Sequence, residues 1–254
     1  MILRRLIANL RAQNWTAIAL ELAIVITGVF IGTQVSNWNE QRLEIRQTER
    51  MLAQLQPELH GLLGFFAGAR TYYATTRSYA DTAFAGWEGR PGVTDEQFVI
   101  AAYQASQITG IGTSGENWAL IFGADQLRNI DDAGLRRALS NVMTFNFDYV
   151  DAPAVATKYR EDVRRVIPDP VQVAIRERCG DRNHPGNPLV IILPRTCSLD
   201  LPDDVAASAA AALRRHPELS DDLRWHLAAV ASFLENAEVL ARWIRDLSER
   251  IERS

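Results

Sequence analysis

The chain has 254 residues, enough for one large or two small domains, and its formal charge of −4 arises from 27 basic and 31 acidic residues interspersed along it. That balance excludes the basic field of a nucleic-acid binder and the acidic run of a disordered, solvating segment. Lys158 is the sole lysine beside many arginines, and alanine is abundant, the usage of a GC-rich bacterial genome.

Residues 15–38 form an apolar stretch long enough to cross a bilayer, bracketed by Trp15 and Trp38, whose rings favour the two interfaces. The stretch is longer than the apolar region of a secretory signal, and Thr33-Gln34-Val35-Ser36-Asn37 offers no small-x-small cleavage pattern, so it reads as an uncleaved signal anchor. Arg4, Arg5 and Arg11 before it are matched by Arg42, Arg46 and Arg50 after it, a near tie in the positive-inside count. The expected order is a short cytoplasmic tail over residues 1–14, a transmembrane helix over residues 15–38, and an extracytoplasmic helical-bundle domain over residues 39–254. The expected location is a bacterial inner membrane, with the large domain in the periplasm.

Glu21 lies inside this span, where an acidic group is costly and usually finds a partner. Helical spacing from Glu21 reaches Val25, Gly28, Gly32 and Ser36, placing the carboxyl on the same side as a Gly-x-x-x-Gly pair that admits a second helix. Two readings stand. In one, Glu21, Gly28 and Gly32 form an association face for another copy or a different membrane protein; in the other, Glu21 snorkels to the interface and the glycines are incidental.

The segment from Glu21 through Gly28, Gly32 and Gln34 to Asn37-Trp38-Asn39-Glu40 resembles the start of a family of uncharacterised bacterial single-pass membrane proteins. The tract Thr113-Ser114-Gly115-Glu116-Asn117-Trp118-Ala119-Leu120-Ile121, with Leu127-Arg128 and residues 135–139 after it, is loosely similar to that family's helical region. The resemblance implies an N-terminal anchor and a helical domain, and carries over no catalytic or ligand-binding residue. Ser36 stands where the pattern has asparagine.

From Asn39 onward the periodicity is helical. Leu52, Leu55, Leu59, Leu62, Phe66, Ala69, Tyr73, Thr76, Ala80 and Ala83 form one apolar stripe on a long helix, with a kink or restart expected at Pro57. Gly61, Gly64, Gly68, Thr71, Thr75 and Ser78 form a second stripe of small residues, suited either to a close-packed neighbour helix or to a glycine-weakened, partly exposed face. A loop over residues 86–92 precedes a capping box at Thr94-Asp95-Glu96-Gln97. The glycines at 110, 112 and 115 read as a turn, since no lysine follows them to make a phosphate loop. Asp131 or Asp132 caps a helix expected to run through Met143 towards Val166 with a break at Pro153, and Asp169-Pro170 opens a short helix to Arg178.

Cys179 and Cys197 bracket a turn-rich segment and an isolated strand-like run over residues 189–193. A disulfide between them closes an 18-residue loop and contributes about 3 kcal/mol in the loop-entropy model, which suits an oxidising compartment. Two reduced, buried thiols, or a metal site drawn from Cys179, Asp181, His184 and Cys197, are the competing readings. Pro202-Asp203-Asp204 starts an alanine-rich helix, and Ser220-Asp221-Asp222 starts a last one whose buried face holds Leu223, Leu227, Val230, Leu234, Ala237, Ala241 and Ile244. The fold expected is all-α: an N-terminal transmembrane helix followed by an irregular helical bundle with a small disulfide-closed loop, the last helix packing along the first.

No catalytic, cofactor-binding or metal residue is expected. His60, His184, His216 and His226 are scattered, His184 being the one most placed to matter, and the acidic residues at helix starts read as caps. The partners expected are the bilayer and a second copy or another membrane protein, with no nucleic acid. Two roles fit: a membrane-tethered scaffold or interaction module, or an extracytoplasmic ligand-binding sensor acting through a membrane partner.

Overall fold

The computed structural model describes residues 15–110, 127 and 129–253. Seven helices appear among them: α1 (Trp15–Trp87), α2 (Asp95–Gln104), α3 (Ala133–Met143), α4 (Lys158–Val166), α5 (Asp169–Cys179), α6 (Asp203–Arg214) and α7 (Glu218–Arg253). Between α5 and α6 sits a hairpin of β1 (Arg182–His184) and β2 (Asn187–Ile192). The glycine turn at 110–115, save Gly110, and the tract at 113–121 lie outside the described residues, as do Arg128 and the tail at 1–14.

The domain is built on α1 and α7. Every residue of the predicted leucine-to-alanine stripe of α1, from Leu52 to Ala83, is buried. On α7 the buried set is Leu219, Leu223, His226, Val230, Phe233, Ala237, Leu240, Ala241, Ile244, Leu247 and Ser248. The two helices run antiparallel. Gln56 and Ser248 are joined by two hydrogen bonds, Gln56 Nε2 donating to the Ser248 carbonyl at 2.8 Å and Ser248 Oγ donating to Gln56 Oε1 at 2.8 Å. Further along, Tyr73 and Phe233 meet edge to face at 5.2 Å, and Trp87 Nε1 donates to the Leu213 carbonyl of α6 at 3.2 Å.

Several local expectations hold at the level of single bonds. Thr94 and Gln97 form the reciprocal capping box at the start of α2, and Asp132 Oδ1 accepts from the N–H groups of Gly134 and Leu135 to cap α3. The loop after α1 takes Gly89 and Gly92 to φ values of 64° and 96°, a region glycine enters without steric cost. Asp203 and Asp204 are not caps. They occupy the first turn of α6 behind Pro202, where the helix dipole favours an acidic side chain.

Other expectations fail for identifiable reasons. Pro57 does not restart the first helix: α1 continues through it as one 73-residue helix. The lost proline N–H removes a bond, but Leu55 and Leu59 on either side are both seated in the core, and that packing holds the segment helical. The helix capped by Asp132 stops at Met143 rather than reaching Val166, giving way to 3₁₀ turns at Phe147–Val150 and Ala152–Val155. Side chains compete with the helix here: Thr144 Oγ1 donates to the Ser140 carbonyl, and Asn146 and Asp151 accept from nearby N–H groups.

The strand-like run is not isolated. β2 pairs antiparallel with β1, Arg182 opposite Ile192 and Asn183 opposite Ile191. The hairpin, not a helix, covers the glycine part of the small-residue stripe of α1, Gly61 to Gly68, while Thr71 and Ser78 stay exposed. A Cβ on Gly68 would lie 2.6 Å from Val190 Cγ1, so that position needs glycine to let the strand approach, whereas one on Gly64 would lie 2.6 Å from Asn187 Nδ2, the movable end of a side chain.

Candidate membrane-association site

The N-terminal part of α1 stands clear of the domain. Every residue from 22 to 44 is exposed, and this is the one helix among the described residues long and apolar enough to cross a membrane, with an 18-residue window of mean hydropathy 2.0. At 1.5 Å per residue, residues 15–38 rise about 35 Å, which matches a hydrocarbon core plus part of its interfaces. Val25, Val29, Phe30 and Ile31 point outwards with nothing to cover them. Where the span ends, the Arg42 guanidinium lies 4.8 Å over the Trp38 ring, a pairing suited to a headgroup layer.

The three residues singled out on this span share a face. A Cβ placed on Gly28 or on Gly32 meets nothing within 4 Å. The backbone is therefore open at both glycines, as close approach of another helix requires. Glu21 lies less than two turns before Gly28, and its Oε2 is enclosed without a hydrogen-bond partner among the described residues.

The second predicted site is a clasp. Cys179, the last residue of α5, is disulfide-bonded to Cys197 with a Cα–Cα distance of 5.7 Å, closing the loop that carries the hairpin. The bond rules out the paired-thiol and metal readings of these cysteines. Gln104 Nε2 donates to the Cys179 carbonyl at 2.7 Å, tying the clasp to the end of α2. Beyond Cys197, Glu96 accepts from the N–H groups of Leu199 and Leu201 and from the Ser198 hydroxyl. Burial alone would raise the Glu96 pKa, but those three donors together hold it below the usual carboxylate value.

A polar network behind the clasp was not legible in the sequence. The Tyr72 hydroxyl donates to the Asp181 carboxylate at 3.0 Å. Asp181 is exposed as a residue, yet its carboxyl abuts a buried tyrosine. Desolvation raises its pKa against the opposing hydrogen bond from Tyr72 and the charges of Arg160 and Arg164. Arg160 Nη1 donates to the Ser106 carbonyl at 2.6 Å, and Arg164 donates to Gln107 Oε1 at 3.0 Å while stacking over the Tyr103 ring. Burial pushes the pKa values of Tyr72, Tyr73 and Tyr159 upwards, so these phenols stay protonated; Tyr73 and Tyr159 donate to the carbonyls of Thr109 and Ala102. These bonds satisfy the backbone where α2 ends and α4 packs, a structural task.

The histidines fall differently from expectation. His184 is an exposed strand residue whose Nδ1 accepts from the Gly186 N–H at 3.0 Å. His226 is the buried one, its Nδ1 2.8 Å from Thr157 Oγ1, and burial with the nearby Arg160 charge pushes its pKa down to about 4. Its place was readable: residue 226 falls between Leu223 and Val230 on the apolar stripe of α7. Among the described residues no three His, Cys, Asp or Glu side chains gather as a metal site would need. No protein-family model, curated protein or solved structure matches this chain.

Proposed function

We propose that this protein is a membrane-anchored helical scaffold or interaction module that self-associates through the span containing Glu21, Gly28 and Gly32. The observation that carries this reading is the bare apolar part of α1, with both glycines open to a neighbour and Glu21 Oε2 without a hydrogen-bond partner among the described residues. A carboxyl in hydrocarbon gains from a hydrogen bond across a helix pair, and flanking glycines permit the necessary approach. The disulfide supports an oxidising compartment for the domain, hence an uncleaved signal anchor in a bacterial inner membrane with a periplasmic domain. The resemblance of residues 21–40 to bacterial single-pass proteins agrees with that placement. No reaction is proposed, because the displaced titratable groups serve caps, loops and core hydrogen bonds.

The test is sedimentation in detergent of the Gly28→Leu, Gly32→Leu double variant. A Cβ at either position meets nothing within 4 Å and both positions lie on the exposed part of α1, so the domain should fold as before while the assembly falls to the monomer mass. An unchanged sedimentation profile would overturn the proposal.

One observation favours a second reading, an extracytoplasmic sensor acting through a membrane partner. A groove of about 640 Å³ runs between α1 and the hairpin, within the size range of small-molecule sites.

A further inference from the structure

The groove's lining specifies a ligand class. Its floor is the row Ala67, Thr71 and Thr75 of α1, about 12 Å long at 1.5 Å per residue, beside Gly64 and Gly68 where Asn187 and Val190 are seated. Thr71 and Thr75 donate their hydroxyls to the carbonyls of Ala67 and Thr71, so neither offers a free donor to the groove. The wall is the consecutive run of residues 190–194. Side chains alternate along a strand, so a run of consecutive lining residues means that the groove follows the hairpin lengthwise.

Tyr72, His184 and Asn187 also reach the lining, each hydrogen-bonded within the chain. Arg195 carries the one full charge in the lining, which contains no carboxylate, and no carboxylate pairs with Arg195 among the described residues. Asp181, behind the Tyr72 of the lining, accepts from the Tyr72 hydroxyl at 3.0 Å. By contrast, Arg178 in the same clasp pairs with Asp200 at 3.1 Å. An apolar groove whose lining carries a guanidinium that no carboxylate pairs among the described residues complements an anionic amphiphile.

We propose that this groove binds a single-chain anionic amphiphile, its alkyl chain lying beside the hairpin along Ala67, Thr71 and Thr75 of α1 and its carboxylate at Arg195. Gly64 is about 40 Å along α1 from Trp38, so a chain seated there has left the bilayer. The site gives the sensing reading its ligand and rests on that reading only for its consequence: occupancy sits on the same uninterrupted helix that enters the membrane.

The experiment uses the full chain in lipid nanodiscs with a diazirine-bearing dodecanoate, and mass spectrometry to locate the adducts. Adducts are expected on residues 64–75 and 187–195. Thr71→Trp, which fills the exposed floor, should abolish them, and Arg195→Glu should reduce them about tenfold, as loss of a charge-assisted hydrogen bond requires. Arg195→Glu should also admit the matching dodecyltrimethylammonium probe. An oxidised Cys179–Cys197 pair in each variant confirms that the clasp is intact. Adducts confined to residues 15–38, or groove adducts indifferent to both substitutions, would overturn the site. Displacement by an uncharged apolar peptide but not by unlabelled dodecanoate would also overturn it, in favour of strand addition on β2. Groove adducts that track Thr71 and Arg195 while added dodecanoate leaves sedimentation unchanged would uphold the site and overturn the sensing role alone.

Discussion

His226 couples the core to pH. It is fully buried between α7 and Thr157, and its pKa of about 4 lies below the ordinary histidine value near 6.5. In the unfolded chain the ring takes a proton as pH falls through 6.5, whereas in the folded chain it resists until about 4. The stabilisation from keeping it neutral is therefore complete above 6.5 and is lost progressively as pH falls towards 4, amounting to about 3 kcal/mol over that window. Thermal unfolding at pH 7 and pH 4.5 should show a steep loss for the native chain and a shallower one for His226→Asn, which removes the titrating ring. Parallel pH profiles for the two would mean that His226 is not the group responsible. The sequence placed this histidine only as one of four, because apolar spacing identifies a buried position without saying which polar partner awaits the side chain.

At the scale of the element, the glycines of α1 divide by what stands over them. Gly68→Ala puts a methyl 2.6 Å from Val190 Cγ1 and should cost about 1–3 kcal/mol by overpacking, with faster amide exchange across β2. Gly61→Ala meets Leu189 Cδ1 at an ordinary 3.5 Å and should raise stability by about 0.5–1 kcal/mol, since alanine is the better helix former. Denaturant unfolding of the two variants checks the opposite signs; equal signs would show that the hairpin does not press on Gly68. The apolar stripes of α1 and α7 and the Thr94 and Asp132 caps were legible, because each is written within a few residues of itself. The hairpin over the glycines was not. β1 is three polar, exposed residues whose pairing depends on a turn and on the Cys179–Cys197 bond, and the Tyr72–Asp181 contact joins residues 109 apart. The continuity of α1 through Pro57 was hidden for a related reason: local propensity says stop, and only the buried leucines on either side say continue.

For the molecule as a whole, the disulfide and the span make a joint prediction. Thiol labelling in intact cells should leave Cys179 and Cys197 unmodified until a reductant is added. Thiols that react only after lysis, without reductant, would place the domain on the cytoplasmic side. Replacing both cysteines with serine should lower stability by about 3 kcal/mol, as opening an 18-residue loop implies. The unbroken course of α1 has a mechanical consequence besides. With no joint between Trp38 and Trp87, that stretch is a lever about 75 Å long, and in the membrane-anchored reading proposed above its angle is set by how the span sits in lipid. A span tilted by the common 20° carries the Trp87 end roughly 25 Å sideways relative to an upright one. In that reading a small change in bilayer thickness becomes a sweep of the distal end as wide as a small domain.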